Sequence, residues 1–251
     1  MVRLFEYNLC TTGNGKQSEA RLSLFVTFEG PEGGGKTSQM RFLAAYLREA
    51  GYQVLTTREP GGTPIGDRIR AVLLDPVHTE MEPPTEFLLF SAARAQLVAQ
   101  VIRPHLAQGG VVLCDRYGDA SLAYQGYGYG QDLEVLGIIT RFATGALIPD
   151  LTFCLDVPVQ VGLRRKSGGS GDAWNRMEQK EITYHERVRA GYLAMAAQEP
   201  SRWVVVDATA DLRTVQAAIR ERVRLELAAH KVIASPRETN ATVVNVRRGE
   251  K

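Results

Sequence analysis

Between Phe28 and Gln39 the chain reads FEGPEGGGKTSQ. Three successive glycines stand between an apolar run and Lys36, and no other stretch restricts the fold as much. Without a Cβ, glycine lets the backbone turn through positive φ and bring several N–H groups onto one anion. A helix that starts straight after adds its unpaired first-turn donors and the positive end of its dipole. Residues 30 to 37 satisfy G-x-x-x-x-G-K-[ST], so Gly30, Pro31, Glu32, Gly33, Gly34, Gly35, Lys36 and Thr37 are expected to hold a nucleoside triphosphate. Lys36 would reach the β and γ phosphates, and Thr37 would ligate Mg²⁺. The plainer reading, a glycine-rich turn with an exposed lysine, fits the flanks less well. LFVTFE before the loop is a short β-rich run. In TSQMRFLAAYLREAG after it, Met40, Leu43, Ala44 and Leu47 recur with helical spacing.

The alternation continues along the chain. YQVLTT, GGVVLCD, DLTFCLDV and WVVVDA read as four further strands. Helical patterns cover Ile65 to Leu74, Thr85 to Leu106, Leu133 to Ala146, Gln179 to Ala197 and Leu212 to Leu227, and Pro104 is expected to bend the second of these. Strands that alternate with helices predict an α/β fold with a five-stranded parallel sheet and helices on both faces. Residues 1–22 lack sustained periodicity and read as a flexible extension, residues 23–228 as the nucleotide-binding domain, and residues 229–251 as a tail without a functional account. SGGSGDA, Ser167 to Ala173, is the one low-complexity insert and predicts a mobile loop.

Composition excludes several classes. The 251 residues carry a net charge of only +2, so no global basic field points to nucleic acid or a membrane surface. No apolar run is long enough to span a bilayer. Three cysteines form neither a disulfide framework nor a zinc pattern, and a reducing cytoplasm fits them best.

In an open parallel sheet the ligand lies beyond the carboxyl ends of the strands. The residues there are Glu29 and the glycine loop, then Arg58 to Thr63, then Asp115, Arg116 and Tyr117 followed by Ser121, Tyr124 and Gln125, then Asp156 and the basic Arg164, Arg165 and Lys166. This is more positive charge than one triphosphate requires, which suggests an acceptor with a phosphate of its own.

EGPEGGGKT, TREPGGT, LLFSAARAQLV, DRYGDASLAYQG, PDLTFCLDV and NRMEQ, in this order, resemble the thymidylate kinase family from about Leu24 to Leu227. The resemblance implies a P-loop NTPase-like fold with a lid segment at about residues 164–178, phosphorylation of dTMP to dTDP with Mg-ATP, and a homodimer. It implies that Phe90 stacks on thymine and Arg94, one helical turn later, bonds the base. It places Arg58 and Arg116 near the acceptor phosphate, Tyr124 against the deoxyribose, and Ser121 and Gln125 around the nucleoside. Glu32 falls near the sugar 3′-hydroxyl and the phosphate-binding arginines, and Asp115 near Mg²⁺ with Thr37. Because the glycine loop has no basic residue before Lys36, the bacterial-type arrangement is implied, in which a lid arginine closes over the transferred group. Arg164, Arg165 and Arg176 are the candidates, with Arg165 and Arg176 taken forward as catalytic beside Lys36, Arg116 and Glu32. Asn175 stands where an acidic residue is common, and Ala120 where a serine is. Read from the residues alone, Phe90 fits an ordinary core aromatic, and Arg58 and Arg116 fit surface ion pairs as well as phosphate ligands. A kinase of the same fold acting on another nucleoside or nucleotide, a nucleotide-dependent switch, and a weakened family member remain as alternatives. His78, His105, His185 and His230 match no motif.

Overall fold

The computed structural model describes residues 23–168, 177 and 180–234, and for 230–234 only the backbone. Residues 1–22 and most of the tail lie outside the described residues, as do Asn175, Arg176 and most of the glycine-serine insert. The elements run β1 Leu24–Glu29, α1 Lys36–Glu49, β2 Val54–Arg58, α2 Pro64–Leu74, α3 Pro83–Leu97, α4 Arg103–Ala107, β3 Val111–Asp115, α5 Gly118–Ser121, α6 Leu133–Thr144, β4 Leu151–Asp156, α7 Val159–Ser167, α8 Ile182–Gln198, β5 Trp203–Asp207 and α9 Leu212–Ala234. The five strands form one sheet in the order β2-β3-β1-β4-β5, and every pairing is parallel. Among the described residues no helix is long and apolar enough to cross a membrane.

β1 is the central strand and is buried along its whole length. Its side chains alternate between faces, as strand geometry requires. Leu24, Val26 and Phe28 pack with Leu43 and Leu47 of α1 and with Ile219 and Val223 of α9. Phe25 points the other way, into a core with Leu97, Ile102 and Val112. Thr27 also lies on that second side of the alternation. Its hydroxyl is matched by Thr152 on β4 at 2.8 Å, so no polar group is orphaned.

The element pattern read from the sequence holds, and four differences have local causes. The helix expected over Thr85 to Leu106 starts at Pro83, since proline fits a first turn. It passes through a π-helical stretch, Val98–Ile102, where the Arg103 N–H reaches back five residues to Val98. Pro104 has no N–H to bond Gln100, and the shifted register precedes it directly. Two helical segments have no sustained apolar period and escaped the pattern: α5 with its π-helical continuation Leu122–Gly128, and α7. Finally, α9 continues to Ala234 instead of ending near Leu227. No glycine or proline interrupts the chain there before Pro236.

Candidate active site

The loop between β1 and α1 turns through Gly30, Gly33 and Gly35 at φ of 119°, 69° and 80°. At Gly33 there is also no room for a side chain: a Cβ would lie 2.0 Å from the Gly162 carbonyl oxygen of α7. The loop therefore lies flat against the end of β4 and the start of α7, and Lys36 opens α1 directly behind it. The Lys36 ammonium folds over the loop and donates to Gly30 O at 3.1 Å and Pro31 O at 2.7 Å. Burial, assisted by the nearby Arg116 guanidinium, draws its pKa down to about 8. Beside it the Thr37 hydroxyl donates to Asp115 Oδ2 at 2.5 Å. The β1–β3 register sets Asp115 opposite Phe28, at the root of the loop. One hydroxyl and one carboxylate thus meet as hard oxygen donors, the kind of pair a small divalent cation takes.

Arg116 follows Asp115 and adopts a left-handed backbone, φ 66°. The arginine is held on every side. Its N–H donates to Phe28 O at 3.0 Å. Nη1 donates to Gly30 O and to the Tyr192 hydroxyl, both at 3.0 Å, and Nη2 donates to Glu32 Oε1 at 2.6 Å. Its guanidinium lies over the Tyr124 ring, 4.9 Å from the centroid, a favourable cation–π placement. The Tyr124 hydroxyl donates to the same Glu32 oxygen at 2.7 Å. Burial would raise the Glu32 pKa, but Arg116, Lys36 and the Tyr124 hydrogen bond outweigh it and hold it at about 2. Glu32 is therefore ionised throughout the neutral range.

The opposite wall comes from β2, α3 and α5. Phe90 and Arg94 sit one turn apart on α3. Phe90 is half-buried, whereas Arg94 is 1% exposed, the largest fully buried side chain. Arg94 donates from Nε to Glu59 Oε2 at 2.7 Å and from Nη2 to Tyr117 O at 3.2 Å and Ser121 Oγ at 2.9 Å. Among the described residues its Nη1 has no partner, and neither does Glu59 Oε1. Burial pushes Glu59 up to about 7 despite the guanidinium beside it. Gln125 donates to Glu86 Oε1 at 2.7 Å. Arg58 is exposed and only 3.5 Å from Asp67.

These walls enclose one cleft of about 1050 Å³, lined at one end by Glu32, Gly33, Gly35, Lys36, Thr37 and Asp115 and at the other by Arg58, Phe90, Arg116, Ser121, Tyr124 and Gln125. Arg94 stands behind this lining, bonded to Glu59 and Ser121 within it. Arg165 is not part of the lining: its Nη1 donates to the Ala208 carbonyl at 2.7 Å, beyond β5. Arg164 donates to Gln160 O at 3.2 Å in its own helix, and Arg176 lies outside the described residues. Lys166 and Met177 face the cleft instead. The sequence placed Lys166 and Glu59 at strand ends without giving either a role, and it did not pick out Tyr192. Glu59 was within reach, as the carboxylate of TREPGGT at a strand end. Tyr192 carries no local signal.

The lowered pKa of Glu32 has a testable sign. A carboxylate depressed from 4.5 to about 2 contributes stability that is complete above pH 4.5 and is lost as pH falls through 2. In acid titrations followed by denaturant unfolding, the parent should lose on the order of 3 kcal/mol more than Glu32→Gln between pH 4.5 and 2. Parallel curves for the two would contradict the ion pair.

A thymidylate kinase family model matches residues 28–219. The chain is 55% identical over 210 residues to a thymidylate kinase of Herpetosiphon aurantiacus, covering 74% of this chain and 89% of the relative. It is likewise 55% identical over 187 residues to that of Deinococcus radiodurans, covering 74% and 89%. A crystal structure of thymidylate kinase from Ehrlichia chaffeensis superposes with a TM-score of 0.66 at 32% identity, over 81% of this chain and 99% of that one. The match spans the glycine loop, both walls of the cleft and the strands from the end of β1 through β5, and with it the chain belongs to the thymidylate kinase family.

Proposed function

We propose that the protein transfers the γ-phosphoryl group of ATP to dTMP, giving ADP and dTDP. The observation that carries this reading is one cleft in which the glycine loop faces a partly buried arginine, Arg116, and an aromatic wall, Phe90. A triphosphate needs the first of these, and a phosphorylated nucleoside needs the other two.

The loop amides and Lys36 bind the donor. The Lys36 ammonium now rests on Gly30 O and Pro31 O, and phosphate oxygens would be stronger acceptors for it, since charge-assisted bonds exceed neutral ones. Thr37 and Asp115 would hold Mg²⁺, which normally keeps one or two protein oxygens and takes the rest from phosphate and water. Bound there, the ion would neutralise charge developing on the transferred group. On the acceptor side Arg116 and Arg58 orient the dTMP phosphate. Phe90 stacks on the base, Tyr124 packs on the sugar, and the free Nη1 of Arg94 gives a donor for a base carbonyl. The acceptor phosphate, with a second pKa of roughly 6, is already nucleophilic at neutral pH. One of its oxygens forms the new P–O bond as the bond from the γ-phosphorus to the β-phosphate oxygen breaks, so no general base is called for. Alignment of two mutually repelling anions is the protein's main task.

Lys166, at the cleft edge, and the arginines near it supply the lid charge. Arg176 and Arg165 are the proposed closing groups, and Arg165 would have to leave Ala208 to act. A homodimer is part of the same reading. Val135, Ile138 and Phe142 recur on one face of α6, and Phe142 is 89% exposed. An apolar stripe of this kind on a surface helix fits a second copy of the chain.

The protein should release ADP from ATP fastest with dTMP as acceptor and more slowly with dUMP, dGMP, AMP or thymidine. Faster release with any of these would assign another acceptor. Lys36→Ala should lower kcat at least 100-fold with the circular dichroism unchanged; near-normal turnover would remove the donor site. Arg94→Ala should raise KM for dTMP roughly tenfold or more and leave KM for ATP in place; equal changes in both would contradict base reading. Phe142→Glu should run as a monomer in size-exclusion chromatography. An unchanged dimer would move the interface elsewhere.

A further inference from the structure

The Arg116 anchorage leads back to one buried carboxylate that the reaction itself does not call for. Glu29 is the last residue of β1 and has 0% exposure. Its Oε1 accepts from the Tyr117 backbone N–H at 2.7 Å and its Oε2 from the Tyr192 hydroxyl at 2.9 Å. Tyr192, on α8, in turn accepts from Arg116 Nη1 at 3.0 Å. Glu29 thus reaches Arg116 by two routes. One runs through the next peptide, just where the chain takes its left-handed turn, and the other through a hydroxyl beneath the guanidinium.

The two neighbours of Glu29 in β1 and the loop add to the same hold. Phe28 O accepts the Arg116 N–H, and Gly30 O accepts Nη1. Three successive residues at one strand end therefore grip Arg116, and the third of them also accepts from Lys36. An ionised carboxylate with 0% exposure is costly. Burial first, then the charge of Asp119, pushes Glu29 up to about 8 against Arg116 and its two hydrogen bonds. A carboxylate that served only to cap the strand would need neither Tyr192 nor this depth.

We infer that Glu29 and Tyr192 are positioning residues that fix the Arg116 fork at a set distance from the phosphate loop, so that the acceptor phosphate is delivered in line with the donor. The inference rests on the reading of Arg116 as the acceptor-phosphate ligand. Tyr192 supplies the orientation and Glu29 aims Tyr192. When the hydroxyl hydrogen points at Glu29, its lone pairs are left for Arg116. A phenylalanine at 192 keeps the ring, which packs edge-on to Tyr124 at 6.3 Å, and removes the hydroxyl bonded to both Arg116 and Glu29.

Tyr192→Phe should lower kcat about tenfold or more and raise KM for dTMP, with KM for ATP near that of the parent and the fold retained by circular dichroism. Glu29→Gln should move the same quantities in the same direction. In a double-mutant cycle Arg116→Lys with Tyr192→Phe should be little worse than Arg116→Lys alone, because both remove one arrangement. Full kcat in Tyr192→Phe, or additive effects in the cycle, would overturn the inference while Arg116→Lys alone still impairs dTMP use. If Arg116→Lys leaves dTMP kinetics untouched, the acceptor-site reading fails first and this inference with it. A loss of ATP affinity matching the loss for dTMP would mark Tyr192 as a plain packing residue and also overturn it.

Discussion

The ion pair of Arg116 with Glu32 joins the two halves of the cleft. Glu32 belongs to the phosphate loop and Arg116 to the segment after β3, and the sheet order brings these together by making β1 and β3 neighbours. Lone carboxylates and guanidinium groups cannot be buried without compensation. Here each has several partners: Glu32 takes Arg116 and Tyr124, and Arg116 takes Glu32, Tyr192 and two main-chain carbonyls. The result is a charge held in one place before any substrate arrives. Preorganised charge of this kind costs no rearrangement when the reaction needs it.

The glycines serve the same end by a steric route. Gly33 meets the backbone of Gly162 on α7, so both positions exclude a Cβ. This close approach seats the phosphate loop on the helix that ends in Arg164, Arg165 and Lys166. The glycine loop and the basic end of α7 are therefore parts of one packed surface. Across the sheet, Arg189 pairs with Asp156 through two bonds of 2.7 and 2.8 Å and ties α8 to the end of β4. The Tyr192 link leaves the same helix.

Much of the fold was legible in the residues. Strand and helix alternation and the strand-before, helix-after setting of the glycine loop come from local patterning, and both hold. So does the pairing of Phe90 and Arg94 on one helix, since a spacing of four repeats the helical turn. The short helices α5 and α7 were not legible, because their turns are held by tertiary packing and not by an apolar period. Arg165 shows the same limit. Its place in a basic run suggested the cleft, yet the side chain found a carbonyl beyond β5, and nothing in a run of like charges says which one turns inward.

What the sequence determined alone was chemistry that neighbours in the chain can supply: a loop of glycines that admits an anion, a lysine and threonine at fixed steps behind it, and strands apolar enough to be central. What only the tertiary structure decided was which distant groups share a proton or a charge. Glu29, Tyr117 and Tyr192 lie up to 163 residues apart, and no spacing rule joins them. They meet because parallel strands end side by side and α8 crosses beneath them. Hydrogen bonds act over about 3 Å, so their partners are chosen by packing, which no local pattern encodes.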